Sequence, residues 1–552
     1  MPDLDGPSRD ALVWLVLWQA RQNSQLKAIV EKLAVANADL TAANGVLADR
    51  LGRVEHLLSR NSANSSSPPS KDDEPGRTPP KGKAPRVGAG ARTRGGQPGV
   101  SGSHLAFTDA PDGRLDRFPE GTCGCGTMLG GAVGRGEAVD LGIVDRYQQT
   151  EIPLVTATVT QYDQHAVRCR CGKVHTAPRP DGARAGPVGY GPNLMAWCVY
   201  LMVVHHIPVA RVVELLTSLT GAAPSAGFVH SLITRTAAGL AEADARIRAL
   251  ICLAAIVVMD ETPLRVGPRL PRPGRKKAEK YLLVAATALY TRFELGDRDL
   301  ATFRASVLLD LARAGATVVH DRYHLYDHPT FAAGGDPADR DLPDSADHEP
   351  DKAVFAGLLH QVCTAHLQRD LTGAAEVHPD ETWPEQIAEA LRGLVHHTNL
   401  ARHDAARAAG HDPAHCRYCQ PDQPPVGLDE LRRRFRQGVL VGLARTTEHG
   451  TRPGERKARL LLEFLHDREQ DVLRFLTNLD IPPTSNDAER ALRPSKIQQN
   501  ISGRLTSETV TQHRYTVLGY LVTTAKHGRA MMTTLREAIA GRPWIPALPA
   551  PT

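Results

Sequence analysis

Two short apolar runs, each stopping at an aspartate, constrain this chain more than any other feature. "AAIVVMDETP" runs into Asp260, and "ATVVHDRYHLYDH" runs into Asp321. Valine- and isoleucine-rich runs with little polar alternation predict strands covered on both faces. Between them, "KYLLVAATALYTRFEL" predicts two more strands around a turn and "LATFRASVLLDLARAG" a helix. One acid at the end of a buried strand is an ordinary boundary. Two in related positions set a pair of carboxylates at one edge of a sheet. Side chains alternate along a strand, so Asp260 and Glu261 point to opposite faces and only one of them serves that edge.

At 552 residues the chain is too long for one core and predicts several units. Residues 1–60 read as a helix: Leu26, Leu33, Leu40, Leu47 and Val54 recur every seven residues, with Val30, Asn37, Asn44, Leu51 and Leu58 at the companion positions. A leucine seam interrupted by asparagine is the pattern of a parallel coiled coil, in which asparagine costs stability and fixes register. The alternative is one amphipathic helix folded onto the body. Residues 61–104 hold too few apolar side chains to offset the entropy of ordering and read as a disordered linker. Lys plus Arg is 66 against 61 for Asp plus Glu, a net charge of +5. That excess sits in the linker, where Arg60, Lys71, Arg77, Lys81, Lys83, Arg86, Arg92 and Arg94 face only Asp72, Asp73 and Glu74. A basic arm of this kind suits a polyanion, although many charged linkers are merely solvated.

No run reaches the length of a membrane span, and the acidic N-terminus lacks a signal-peptide pattern, so a cytoplasmic protein is expected. A reducing compartment argues against disulfides among the nine cysteines. Four come as tight pairs, Cys123/Cys125 and Cys169/Cys171, flanking an alternating Val/Thr-rich stretch, "RYQQTEIPLVTATVTQYDQHAVRC", that predicts a strand. Residues 105–180 are therefore expected to form a small β module holding one structural Zn²⁺ on four thiolates, with His175 as a spare ligand; free buried thiols are the alternative. Residues 186–250 read as helices with a Gly/Pro/Ser turn, the outline of a helix-turn-helix or of ordinary helical packing.

Near the end stands "PPTSNDAERALRPSKIQQN", where Asn486 and Glu489 have capping-box spacing and Glu489 and Arg493 the spacing of a helical ion pair. Asp321 and Glu489 lie much further apart than one crossover needs, so a helical insertion at about 370–475 is expected within a domain spanning 251–500, followed by a helical tail, 501–552. Cys363 and His366 share a helix face, either as active-site support or as packed core. His411, His415, Cys416 and Cys419 are candidates for a second zinc site.

Taken in order, these pieces resemble the DDE transposases of the insertion sequence 66 group. The leucine heptads, "NSANSSSPPSKD", "RGGQPGVSG", the paired cysteines, "MDETPLRV", "HDRYHLYD", "VCTAHLQRDL" and "PPTSNDAERALRP" carry the resemblance. "DETP" and "NDAERALRP" are its specific elements. The resemblance implies a multidomain chain with an RNase H-like α/β catalytic domain whose acids are Asp260, Asp321 and Glu489. It also implies a DNA transposase that cleaves element ends and joins the 3′-hydroxyl to target DNA. Carboxylates on Mg²⁺ (or Mn²⁺) suit that chemistry, because two ions activate the nucleophile and stabilise the leaving oxygen. Arg490 and Arg493 then hold DNA phosphates or pair with Glu489. The expected partners are double-stranded DNA and, through the coiled coil, a homodimer or higher oligomer. Where the family usually has Asp-Gly-Tyr, this chain has Asp321-Arg322-Tyr323, which bears on local geometry rather than on the acid. A catalytically inactive DNA-binding regulator and an unrelated metal-dependent nuclease are the competing readings.

Overall fold

The computed structural model describes residues 9–59, 107–152, 154–179, 186–271, 279–333, 356–408, 427–447 and 454–548. The chain divides into two compact units: Lys81–Thr160 with Leu216–Ala222, and the remainder. Cys123 and Cys125 belong to the former, Cys169 and Cys171 to the latter.

Helix α1 (Arg9–Ser59) is 51 residues long, about 75 Å at 1.5 Å per residue. Its seam is open to solvent: Leu26, Val30, Leu33, Leu40, Leu47, Leu51 and Val54 are each at least half exposed. A helix laid against the body would have buried that stripe, so this alternative is not what the structure shows.

Of the strand expected between the cysteine pairs only the end forms. Among the described residues of 143–165 none is in a strand, and Val144, Leu154 and Val159 are almost fully exposed. Alternation defines a strand only where a neighbour supplies a ladder, and these residues have none. The last three residues before Cys169, β1 (Ala166–Arg168), do find one and form a short antiparallel hairpin with β2 (Val174–Thr176).

Four helices come next: α2 (Pro192–Val203), α3 (Val209–Thr220), α4 (Ala226–Gly239) and α5 (Ala241–Cys252). Ser225 caps α4 by accepting from the Phe228 amide, and Val229, Leu232, Ile233 and Thr236 of α4 are buried. Helix α4 packs on α2 and on α14 (Glu508–Lys526), so its apolar face belongs to the core rather than to a groove-reading surface.

The centre is a five-stranded mixed sheet built from β3 (Ile256–Leu264), β4 (Lys280–Ala286), β5 (Thr291–Gly296), β6 (Thr317–His320) and β7 (Leu359–Val362), in the order β5-β4-β3-β6-β7. The pairs β3–β4 and β4–β5 are antiparallel, while β3–β6 and β6–β7 are parallel. Every residue of β6 is buried, as a strand covered on both faces requires. The predicted single helix after β5 is broken at Ser306 into α6 (Leu300–Ala305) and α7 (Leu308–Ala314), and Gly315 at φ +67° ends the second in the left-handed region.

Between β7 and the C-terminal part lie α8 (Thr364–Val377), α9 (Trp383–Ala408), α10 (Leu428–Arg445), α11 (Glu455–Asp467) and α12 (Glu469–Val472), the helical insertion read from the sequence. Helices α13 (Asn486–Ile501), α14 and α15 (Met531–Ile539) complete the chain. The expected tail carries core structure: α14 packs along β5, with Phe293 against Tyr515 at 5.6 Å. A Cβ on Gly519 of α14 would lie 3.1 Å from the Thr291 carbonyl oxygen, which accounts for glycine there.

Candidate active site

Strand register does most of the assembly. Ile256, Val257 and Val258 lie opposite Thr317, Val318 and Val319. The same offset carried two residues further brings Asp260 level with Asp321. The β6–β7 register, with His320 opposite Val362, likewise brings Asp321 level with Cys363. Three neighbouring parallel strands thus deliver Asp260, Asp321 and Cys363 to one line at their C-terminal ends. Asp260 is not the end of its strand as expected: β3 continues to Leu264 because β4 extends the antiparallel ladder that far.

Helix α13 brings the third acid. It packs across β3 and β4 and is tied to β3 by Gln499, which donates to the Pro263 carbonyl at 3.3 Å and accepts from the Arg265 amide at 3.4 Å. The paired prolines before α13 dock on the start of α8, where the Thr364 amide donates to the Pro483 carbonyl at 2.9 Å. Alongside it, the Ser485 amide donates to Cys363 Sγ at 3.2 Å. The expected capping box is not formed. Ser485 is the N-cap and makes no side-chain cap, so Asn486 is already helical.

Glu489 faces α8 rather than its own helix. Its Oε1 lies 3.4 Å from Arg369 Nη2 and 3.9 Å from His366 Nε2. The helical pairing of Glu489 with Arg493 is therefore replaced by Arg369, three residues beyond His366 on the same face of α8. Arg490, Arg493 and Lys496 point to solvent, and Arg490 approaches Asp487 at 3.8 Å.

Electrostatics marks the same spot. Burial pushes the Asp260 carboxyl well above the usual carboxylate range, and Glu261, Asp321 and Glu489 push it the same way while His366 opposes them. Burial lowers the basicity of His366, but the neighbouring Cys363 outweighs it and, with help from Asp321, holds the imidazole at about 9. Burial raises the Cys363 thiol, and the His366 interaction overrides that and lowers it. His366 Nδ1 has no hydrogen-bond partner by geometry, so this coupling is better described as charge than as a formed bond. Among the described residues no three His, Cys, Asp or Glu side chains stand close enough together to hold a metal ion as they are. The donor chemistry still fits Mg²⁺ or Mn²⁺: hard carboxylate oxygens around a buried excess of negative charge, for ions that retain water and take only part of their shell from protein.

Arg322 occupies the position of the missing glycine and adopts glycine's conformation, φ +71°. Its amide donates to His320 Nδ1 at 3.2 Å, its guanidinium pairs with Asp370 at 2.9 Å, and it stacks over Phe464 at 4.9 Å. Those contacts offset a left-handed conformation that L-residues resist. The Asp321 side chain still accepts from the Tyr323 amide at 3.0 Å.

A sequence profile described as Transposase IS66 family matches residues 188–513, more than half of the chain. The chain belongs to the Transposase IS66 family. Its role as a transposase, and so its dealing with DNA, follows from that membership. The matched region runs from before α2 into α14 and contains all three acids. A second profile, a family of unknown function (DUF6444), matches residues 18–106, most of α1 and the basic arm. No curated protein matches this IS66 transposase.

Outside the sheet, the four paired cysteines are exposed, so they are not buried structural thiols. Both pairs sit in turns of one design. In one, the Cys123 amide donates to the Thr127 carbonyl and the Gly126 amide to the Cys123 carbonyl; in the other, Cys169 donates to Lys173 and Gly172 to Cys169. Gly126 at φ +95° and Gly172 at φ +86° make the reversal that L-residues resist. Hydrogen bonds from Thr127 bring the Cys125 thiol down to about 7, and contacts from Cys171 lower Cys169. Arg92, Arg94 and the second cysteine–histidine cluster (His411, His415, Cys416, Cys419) lie outside the described residues. Among the described residues no helix is long and apolar enough to cross a membrane.

Proposed function

We propose that this IS66 transposase cuts and joins DNA strands with Asp260, Asp321 and Glu489 as the ligands of Mg²⁺ or Mn²⁺. The observation that carries the reading is the register that brings Asp260 level with Asp321, with Glu489 brought by α13 near enough to act on Asp260. The mixed five-stranded sheet with helices against it supports an RNase H-like domain. Bound divalent ions supply charge stabilisation of the leaving oxygen and an activated nucleophile. The protein's part is to hold three carboxylates in a site where, without cations, burial first and then the neighbouring carboxylates favour protonation of Asp260. Arg369 and His366 hold Glu489 from the α8 side, so His366 is a positioning residue in this reading. Arg490 and Arg493, exposed on α13, are set to contact DNA phosphates, which bind without reading sequence.

The exposed seam of α1 supports a coiled-coil dimer or higher oligomer, and the basic arm with Arg92 and Arg94 supports phosphate contacts outside the catalytic domain. Each cysteine turn presents two thiols of the kind Zn²⁺ takes once deprotonated, which supports structural zinc. The deciding experiment is strand cleavage of duplexes carrying the element's own termini, with and without divalent metal, using wild-type protein and single alanine variants of the three acids.

A further inference from the structure

The parallel ladder between β3 and β6 stops at Val258 opposite Val319, two residues short of both aspartates. Beyond that point the β3–β6 ladder no longer fixes the gap between Asp260 and Asp321, whose carboxylates repel whenever both are ionised. Something else must hold them.

Glu261, the neighbour of Asp260, is the side chain placed to do so. Only 1% of its side chain is exposed. Its Oε1 accepts from Arg298 Nε at 3.0 Å and from Arg298 Nη2 at 2.5 Å. Its Oε2 accepts from the Tyr326 hydroxyl at 3.2 Å. Both oxygens are thus taken by protein donors. Arg298 in turn lies flat over the Tyr323 ring at 3.5 Å, with Tyr281 at 5.5 Å. Tyr323 is the residue whose amide binds Asp321 Oδ1. Phe303 packs on Tyr323 at 6.0 Å and on Tyr326 at 5.3 Å.

We propose that Glu261, Arg298 and Tyr326 are positioning residues that clamp the Asp260 strand to the Asp321 turn and so set the carboxylate spacing for divalent metal. The proposal rests on the metal-ligand reading of Asp260 and Asp321. It assigns the second acid of "DETP" a role distinct from ligation. A planar guanidinium is required, because only arginine grips a carboxylate through two nitrogens while stacking on a ring.

The test uses the full chain. Arg298→Lys, Tyr326→Phe and Glu261→Gln are compared with wild type and Asp260→Ala in three measurements: Mn²⁺ affinity by electron paramagnetic resonance, the Mn²⁺ concentration for half-maximal strand cleavage, and the thermal midpoint without metal. Arg298→Lys should weaken Mn²⁺ binding about tenfold or more, the usual cost of losing a residue that supports metal ligands. Its half-maximal metal concentration should rise in step, with cleavage recovering at saturating Mn²⁺. Glu261→Gln, whose single carbonyl oxygen can still accept from Arg298 while its amide nitrogen must instead donate to the Tyr326 oxygen, should fall between it and wild type. If Arg298→Lys and Tyr326→Phe lower the thermal midpoint yet bind Mn²⁺ as wild type does, while Asp260→Ala does not, the residues are only structural and the clamp is refuted. If Asp260→Ala binds Mn²⁺ as tightly as wild type, the ligand reading falls, and the proposal with it.

Discussion

At the residue scale, each of the three acids has an ordinary local reading, a strand boundary for Asp260 and Asp321 and a helix start for Glu489, and only the order of the motifs and their resemblance to a family joined them. Their partners were not legible. Arg298, Arg369 and Tyr326 are ordinary by type, and only the fold shows which carboxylate each meets. Arg369 lay nearest to being found, since its spacing from His366 is that of one helix face. The replacement of glycine by Arg322 left local geometry open in the sequence; in the structure the arginine adopts the left-handed conformation and is held by Asp370 and Phe464. Arg322→Gly should relieve about 1 kcal/mol of backbone strain and lose a partly buried ion pair of similar worth. Lys457, 3.7 Å from Asp370, still compensates that acid. Chemical denaturation should accordingly place the variant within about 1 kcal/mol of wild type. Its cleavage rate should stay within about tenfold of wild type, because Asp321 is oriented by the Tyr323 amide rather than by the Arg322 side chain. A much larger gain in cleavage would mean that Arg322 had disabled the site, as the inactive-regulator reading requires.

At the scale of elements, the apolar strands were readable because burial on both faces leaves a continuous hydrophobic run, and the helical insertion because Asp321 and Glu489 lie further apart than one crossover needs. The alternating stretch after Cys125 misled. Alternation reports a half-buried face only if another strand lies alongside, and sequence cannot show the missing neighbour. The two cysteine turns, by contrast, share one hydrogen-bond pattern, as their common Cys-X-Cys-Gly sequence would allow. They make a prediction of their own. Protein purified without chelator should contain zinc, Cys123→Ser should lower its zinc content, and chelation should speed thiol modification without altering the far-ultraviolet signal of the sheet and helices. Zinc-free wild-type protein with freely reactive thiols would leave the turns as bare backbone features.

At the scale of the whole molecule, a helix of about 75 Å with an open leucine seam is costly to leave in water, and the oligomer proposed above would cover it. Asn37 and Asn44 at seam positions would then fix register. Deleting residues 1–104 should weaken self-association, read by light scattering, and flatten the salt dependence of DNA binding, since the arm's phosphate contacts are the salt-sensitive part. It should leave Mn²⁺ binding intact. A truncated protein as dimeric as the full chain would move the assembly surface elsewhere.

The central claim is that three carboxylates, drawn from two neighbouring strands and a distant helix, perform the strand chemistry. Its most direct measurement is single-turnover cleavage of a duplex bearing the element's terminus, in Mg²⁺ or Mn²⁺, by Asp260→Ala, Asp321→Ala and Glu489→Ala beside wild type. Each variant should first show wild-type circular dichroism and DNA affinity. The account predicts metal-dependent cutting by wild type and a loss of at least about a thousandfold in every variant, the scale expected when a metal ligand at a reacting centre is removed. A well-folded Glu489→Ala protein that still cuts at close to the wild-type rate would contradict it.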